Sequence, residues 1–144
     1  MIGVTMFDIA CIDETDNNFV FGLDDSEEKA CISSLARYNP PFVDESQLQD
    51  SWSLKAAFSL ITHELGHVFG LEHCIYNRCL MNGANSLEED EKIPLYLCPV
   101  CLNKLNVLFS FDIRERYTKL LDFFRKYNLD NEVNWHSQYL QSRT

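Results

Sequence analysis

Hydrophobic and polar positions follow two different periods along the chain, which predict strands in the first part and helices in the second. Residues Ile2–Ile12 are rich in β-branched and aromatic side chains, so they predict a strand that ends at the polar turn 13–18. Two shorter apolar runs, Phe19–Leu23 and Ala30–Arg37, predict further strands. The segment Tyr38–Glu45 contains two adjacent prolines and is predicted to be a loop.

The pattern becomes helical near residue 50. A long helix is expected to begin at Ser51 or Ser53, either of which is a suitable N-cap, and to end at Gly70. Ser86 and Glu89 have the spacing of a capping box and predict a brief helix.

Three more helices are expected in the C-terminal part of the chain. Pro99–Leu108 starts with a proline, which suits the first turn of a helix. Asp112 and Glu115 have the spacing of a helix start, and the residues that follow give one apolar face at helical intervals. That face is interpreted as core: Ile113, Tyr117, Leu120, Leu121, Phe124 and Tyr127. A short final helix is expected after Leu129.

The segment from His63 to His73 reads HExxHxxGxxH and contains the most specific chemical pattern of the chain. On a helix, His63 and His67 lie one turn apart on the same face, so both can bind one metal ion. Glu64 is offset by about 100°, which suits it to take a proton from a water molecule beside the metal. Gly70 can adopt the left-handed conformation that ends a helix, which lets His73 return as a third ligand. Three protein ligands leave a position for water, as in catalytic zinc sites.

Four of the six cysteines form two short pairs, C-x4-C and C-x2-C, namely Cys74, Cys79, Cys98 and Cys101. Such pairs suit a structural zinc ion held by four thiolates. Disulfides or a redox-active CxxC pair are the alternatives, but no secretory signal is visible to support an oxidising compartment. A redox or inhibitory role for Cys74 beside His73 is a further alternative. Cys11 and Cys31 lie in apolar runs and are predicted to be small buried residues.

With both patterns present, the chain resembles the metzincin clan of zinc peptidases and, more narrowly, the archaemetzincins, which combine this histidine motif with this cysteine set. The segments Phe19–Gly22 and Leu35–Tyr38 also look like that family, and the resemblance covers Ile2–Asn128. It implies a general base, Glu64, and a Met-turn at Met81. It also implies two zinc ions, one catalytic at His63, His67 and His73, and one structural at Cys74, Cys79, Cys98 and Cys101.

The resemblance further implies an α+β, metzincin-like (zincin) catalytic domain over residues 1–144. A mixed twisted sheet and the active-site helix would occupy residues 1–70, and a helical C-terminal subdomain with the structural zinc would occupy 71–144. In the family, two strands and a long helix precede the counterpart of Ile2–Ile12, and this sequence has no equivalent, so it looks N-terminally truncated. We therefore expect an exposed hydrophobic edge on that strand. Two other metzincin branches have a zinc-binding tyrosine where this chain has Gly83, so no such ligand is expected.

The composition is acidic, with 22 Asp and Glu against 12 Lys and Arg and a formal net charge of −10. This charge argues against binding to nucleic acid or to anionic membranes, since both need basic surface. The acidic runs Asp24–Glu28 and Glu88–Glu91 are interpreted as solvated faces, with a preference for basic peptides as the alternative. No apolar stretch approaches the roughly 20 residues of a membrane span. We expect an intracellular, cytoplasmic protein.

Together these features predict a zinc-dependent metallopeptidase that acts on peptide or protein substrates. Two alternatives stay open. One is a catalytically silent zinc-binding homologue that serves as a binding module. The other is a zinc hydrolase of non-peptide amides.

Overall fold

A computed structural model of the chain describes residues 1–10, 19–25, 27–38 and 50–142, with side chains from residue 54 onward in the last range. The chain forms two compact units, Met1–Cys101 (unit 1) and Leu102–Thr144 (unit 2). The predicted organisation into 1–70 and 71–144 stays a prediction. Cys11 and residues 39–45 of the predicted loop lie outside the described residues.

Unit 1 contains a mixed three-stranded sheet with the order β1-β3-β2. Strand β1 (Ile2–Thr5) runs parallel to β3 (Ala30–Ser34), and β2 (Gly22–Asp25) runs antiparallel to β3. An isolated antiparallel bridge joins Ile9 to Val20. All three predicted strands are therefore present, but each has different limits.

Strands β1 and β3 are shorter than predicted because β3 ends early. The Leu35 amide donates to the Thr5 carbonyl at 2.8 Å, and the chain then enters a 3-10 helix, Ala36–Tyr38. Strand β1 thus loses its partner after Thr5, although its apolar pattern continues. Backbone pairing of a strand depends on where the neighbouring strand ends. The hydrophobic pattern of the strand itself does not contain this information, so it predicts strand limits poorly.

Strand β1 lies at one edge of the described sheet. Its side chains are open to solvent, with Ile2 53% and Val4 51% exposed. Phe7, just beyond the strand, is 80% exposed. The predicted hydrophobic edge is confirmed over the residues that the structure describes.

Helix α1 (Asp50–Val68) packs against β2 and β3. Its buried residues Ala56 and Leu60 form a core cluster with Tyr38, against which further apolar side chains pack: Phe21, Leu35 and Leu87. The predicted N-cap at Ser51 or Ser53 is wrong, because the helix already includes Asp50. Serine and aspartate are common both at the cap and in the first turn, so the sequence does not separate the two positions.

The other helices confirm the predictions. They are α2 (Leu87–Glu91), α3 (Pro99–Phe109), α4 (Ile113–Lys126) and α5 (Asp130–Gln141). Ser86 Oγ accepts from the Glu89 amide at 3.2 Å, and Asp112 Oδ1 accepts from the Glu115 amide at 2.7 Å. Over the described residues, none of the helices is both long and apolar enough to cross a membrane.

In unit 2, α4 packs against α5. The predicted apolar face of α4 is confirmed at its centre, where Tyr117, Leu121 and Phe124 are buried. His136, on α5, is fully buried. Its ring centroid lies 4.7 Å from that of Phe124 and 5.4 Å from that of Tyr117, both on α4. The hydrophobic pattern did not predict that this histidine is buried, because such a pattern identifies only apolar residues as core.

Candidate functional site

Two histidines of the motif converge on one point. His63 and His67 lie one turn apart on α1, and their Nε2 atoms are 3.0 Å apart. Their Nδ1 atoms donate to backbone carbonyls, His63 to Leu80 at 2.8 Å and His67 to Leu71 at 2.7 Å. In the neutral form of each ring, Nε2 is then the atom that carries the lone pair. Tetrahedral zinc with bonds of about 2.0–2.1 Å separates two nitrogens by roughly 3.3–3.4 Å, so this pair fits a shared ion.

Helix α1 ends at Val68, and the turn that ends it contains Gly70, the residue predicted to end the helix. The φ of Gly70 is +82°, in the left-handed region. Its amide donates to the His67 carbonyl at 2.8 Å, and the Leu71 amide donates to the Gly66 carbonyl at 2.9 Å. These two bonds form a Schellman motif, which satisfies terminal carbonyls and turns the chain.

The turn brings the third histidine beside the other two. The His73 ring centroid lies 5.2 Å from that of His63 and 4.9 Å from that of His67. One ring nitrogen of each lies within 4.8 Å of those of the other two. Burial, together with the neighbouring histidines, lowers the pKa of His63 to about 4 and also lowers the pKa of His73. Neutral imidazoles are the form that binds metal.

Met81 is fully buried beneath α1. A Cβ atom at Gly66 would overlap the Met81 sulfur, so the methionine packs where the helix has no side chain. The Met81 carbonyl accepts from the Cys74 amide at 2.7 Å, and the preceding Leu80 carbonyl accepts from His63. This turn thus contacts both the helix and the segment that follows the third histidine.

The Glu64 carboxyl group lies against strand β2. A Cβ atom at Gly22 would overlap it, so the strand limits where the carboxyl group can lie. Burial and the charge of Asp24 raise the pKa of Glu64 to about 7. The group lines one cavity together with His63 and His73.

The four clustered cysteines form a second group. Their sulfur atoms all lie within 4.8 Å of one another, and all four residues are buried and free of disulfides. The sulfur atoms of Cys74 and Cys98 are 3.8 Å apart. Tetrahedral zinc with Zn–S bonds of about 2.3 Å separates two sulfurs by roughly 3.8 Å, whereas a disulfide requires about 2.05 Å. This geometry fits the four-thiolate site and not the disulfide alternative.

Backbone amides also point at the sulfur atoms. The Cys98 amide donates to Cys79 Sγ at 3.2 Å, and the Cys101 amide donates to Cys98 Sγ at 3.5 Å. Such bonds stabilise thiolates around a metal. Burial raises the pKa of Cys79 and Cys101, and mutual repulsion adds to the shift of Cys101. The remaining described cysteine, Cys31, is buried in the sheet as predicted.

Sequence reasoning did not predict the contacts of three residues that lie against these groups. Asn82 Oδ1 accepts from the Cys79 amide at 2.9 Å, and its Nδ2 donates to the Cys74 carbonyl at 2.5 Å. Gly83 lies against His73, because a Cβ there would be 3.1 Å from the ring. Lys29 Nζ donates to the Val68 carbonyl at 3.2 Å, at the end of α1. Asparagine and glycine signal turns, but not which segments a turn will join.

Comparisons with known proteins show which family the chain resembles. Residues 1–107 match the sequence profile of peptidase family M54. Archaemetzincin-2 of Homo sapiens is 35% identical over 145 residues, which cover 84% of this chain and 40% of that protein. The archaemetzincin of Thermococcus kodakarensis is 37% identical over 105 residues, which cover 72% of this chain and 54% of that protein.

A solved structure is similar as well. The crystal structure of the archaemetzincin from Methanopyrus kandleri superposes with a TM-score of 0.63 at 29% identity, covering 76% of this chain and 56% of that one. The chain thus spans only about half of the length of these relatives, or less. Its mixed sheet and helices have the α+β, zincin-like fold. Since the family profile matches well over half of the sequence, the chain belongs to peptidase family M54, the archaemetzincins.

Proposed function

We propose that this chain is a zinc-dependent metallopeptidase that hydrolyses peptide bonds in peptide or protein substrates. The observation that carries the proposal is the convergence of three histidines, two of which, His63 and His73, line one cavity with Glu64. His63, His67 and His73 would hold the catalytic zinc. Membership of a peptidase family supports the reaction class.

Zinc at this position would polarise the scissile carbonyl and make a water molecule nucleophilic near neutral pH. Glu64 would act as the general base, taking a proton from that water and passing it to the leaving amine. The position of the Glu64 carboxyl group supports this role. It lies against Gly22 and lines the cavity beside His63 and His73.

An extended substrate would lie along the strand that borders the cavity. Phe19, Val20, Phe21 and Gly22 line the cavity together with the motif residues, and β2 is an edge strand of the described sheet. An edge strand can add a peptide through main-chain hydrogen bonds.

The cysteine group would hold a second, structural zinc. Its four ligands, Cys74, Cys79, Cys98 and Cys101, leave no position for water, unlike the three-histidine group. Because Cys74 directly follows His73 and its amide bonds to Met81, this ion would fix the segment that carries the third histidine. Its role is therefore positioning.

The test is cleavage of a random peptide library by the zinc-loaded chain. We expect cleavage that a chelator stops and added zinc restores. The Glu64→Gln variant should bind as much metal as the wild type but lose hydrolysis by at least a hundredfold, because it lacks the general base.

The same assay separates the alternative of a silent binding module. That alternative predicts a metal-loaded chain that binds peptides without cutting them. Full hydrolysis by the Glu64→Gln variant would instead contradict the proposed mechanism.

A further inference from the structure

The cavity at the candidate active site extends beyond the motif residues. Its volume is about 450 Å³, within the range of roughly 300–1,000 Å³ that ligand pockets occupy. The walls include Phe19, Phe21, Leu60 and Ile93, so one part of the lining is apolar. A long aliphatic or aromatic side chain would fit such walls. The reacting group of Glu64 lines the same space.

One polar lining residue is a buried carboxyl group outside the histidine motif. Asp90, on helix α2, lines the cavity although it is only 8% exposed. Its Oδ2 atom accepts a hydrogen bond from the Tyr38 hydroxyl at 3.1 Å. Burial raises the pKa of Asp90, while the Tyr38 hydrogen bond and the positive charge of Lys55 act in the opposite direction. Withdrawing a carboxylate from water costs free energy, which an incoming cation would offset.

A purely structural role explains Asp90 incompletely. The Tyr38 hydroxyl needs an acceptor, but a neutral amide could supply it without the cost of burying a charge. Lys55 is a nearby cation, yet its Nζ donates to the Glu91 carbonyl at 2.8 Å and it does not line the cavity. Among the described lining residues, none is lysine or arginine.

The side chains that can carry a negative charge at this cavity are carboxyl groups. Besides Asp90, Glu64 lines it. A cationic side chain with a long aliphatic stem matches this arrangement, since the stem can contact the apolar walls while the charged end meets a carboxylate. An acidic side chain would meet like charges, which costs free energy.

We propose that this cavity binds the side chain of a lysine or arginine next to the scissile bond, with Asp90 as its counter-ion. This inference rests on the proposed peptidase function and names its substrate class. Asp90 is then a specificity residue of the same site.

The test compares two peptides that differ at one residue beside the cleaved bond, lysine in one and norleucine in the other. The wild-type chain should cleave the lysine peptide with at least a tenfold higher kcat/KM. In Asp90→Asn, which keeps an acceptor for Tyr38, this ratio should fall about tenfold or more. Glu88→Gln is the matched control, because it removes the same charge from an exposed position on α2 and should leave the ratio unchanged.

A binding experiment gives the same answer without turnover. Two peptide hydroxamates, one with an aminobutyl and one with a butyl side chain, are titrated into the zinc-loaded chain and its Asp90→Asn variant. The aminobutyl compound should bind the wild type at least tenfold more tightly and lose that advantage in the variant. Cleavage or hydroxamate binding with equal preference for both side chains would overturn the cation pocket alone. A chain with neither zinc nor cleavage would overturn the proposed function, and the pocket with it.

Discussion

At the scale of single residues, the candidate metal ligands could be predicted from the sequence, whereas the residues that pack against them could not. Histidine and cysteine spacings identified both candidate metal groups, because a metal restricts which residue types can lie around it. The supporting residues, such as Gly22, Gly83 and Asp90, lie close to the site only after folding. Nothing in their local sequence indicates which distant side chain they will contact.

The packing of Gly66 gives a prediction in which two effects oppose each other. Helix propensity alone predicts that Gly66→Ala stabilises the chain by about 1 kcal/mol. The added methyl group would overlap the Met81 sulfur, and overpacking typically costs about 1–3 kcal/mol. We therefore expect a net loss of stability in urea unfolding of the zinc-loaded protein.

A double mutant provides the control for this prediction. In a Met81→Ala background the overlap is removed, so Gly66→Ala should become neutral or stabilising. If Gly66→Ala stabilises the wild-type background instead, Met81 does not pack beneath the helix.

At the scale of elements, the sequence predicted the existence of helices and strands better than their ends. Helix α1 ends at Val68, two residues before the predicted limit, because Gly70 imposes a local conformation that the sequence does reveal. Strand β1 ends at Thr5 although its pattern continues to Ile12, because its partner β3 turns away. Ends set by local backbone chemistry are readable from sequence, and ends set by a neighbouring element are not.

The buried His136 between α4 and α5 leads us to predict that the free energy of unfolding depends on pH. Burial lowers the pKa of His136 to about 4 from its ordinary value of 6.5. As the pH falls, the unfolded chain therefore takes up this proton first. The contribution of neutral His136 is complete above pH 6.5 and is lost as the pH falls from 6.5 to 4, by at most about 1.4 kcal/mol per pH unit.

The variant His136→Phe tests this sign. His136 Nε2 has no hydrogen-bond partner among the described atoms, so a phenyl ring loses only the bond from Nδ1 to the Glu132 carbonyl. Urea unfolding between pH 4 and 6.5 should show a shallower pH dependence for the variant, by about one proton. Identical slopes for the two proteins would contradict the burial of a neutral histidine.

At the scale of the whole molecule, unit 1 contains every residue of both candidate metal groups. Family membership was predictable from the joint histidine and cysteine patterns, because each of them is restrictive. The exposed apolar side chains of β1 follow from its place at the edge of the described sheet. Exposed apolar side chains at a sheet edge favour association between copies of the chain. The net charge of −10 opposes such association by mutual repulsion.

The central claim is that one unit holds two metal sites of different chemistry, and zinc counting by native mass spectrometry tests it most directly. We predict two zinc ions per chain in the wild type. One should remain in a His63→Ala, His67→Ala double variant, and one in a Cys79→Ser, Cys98→Ser double variant. Two ions in either variant, or fewer than two in the wild type at saturating zinc, would contradict the account.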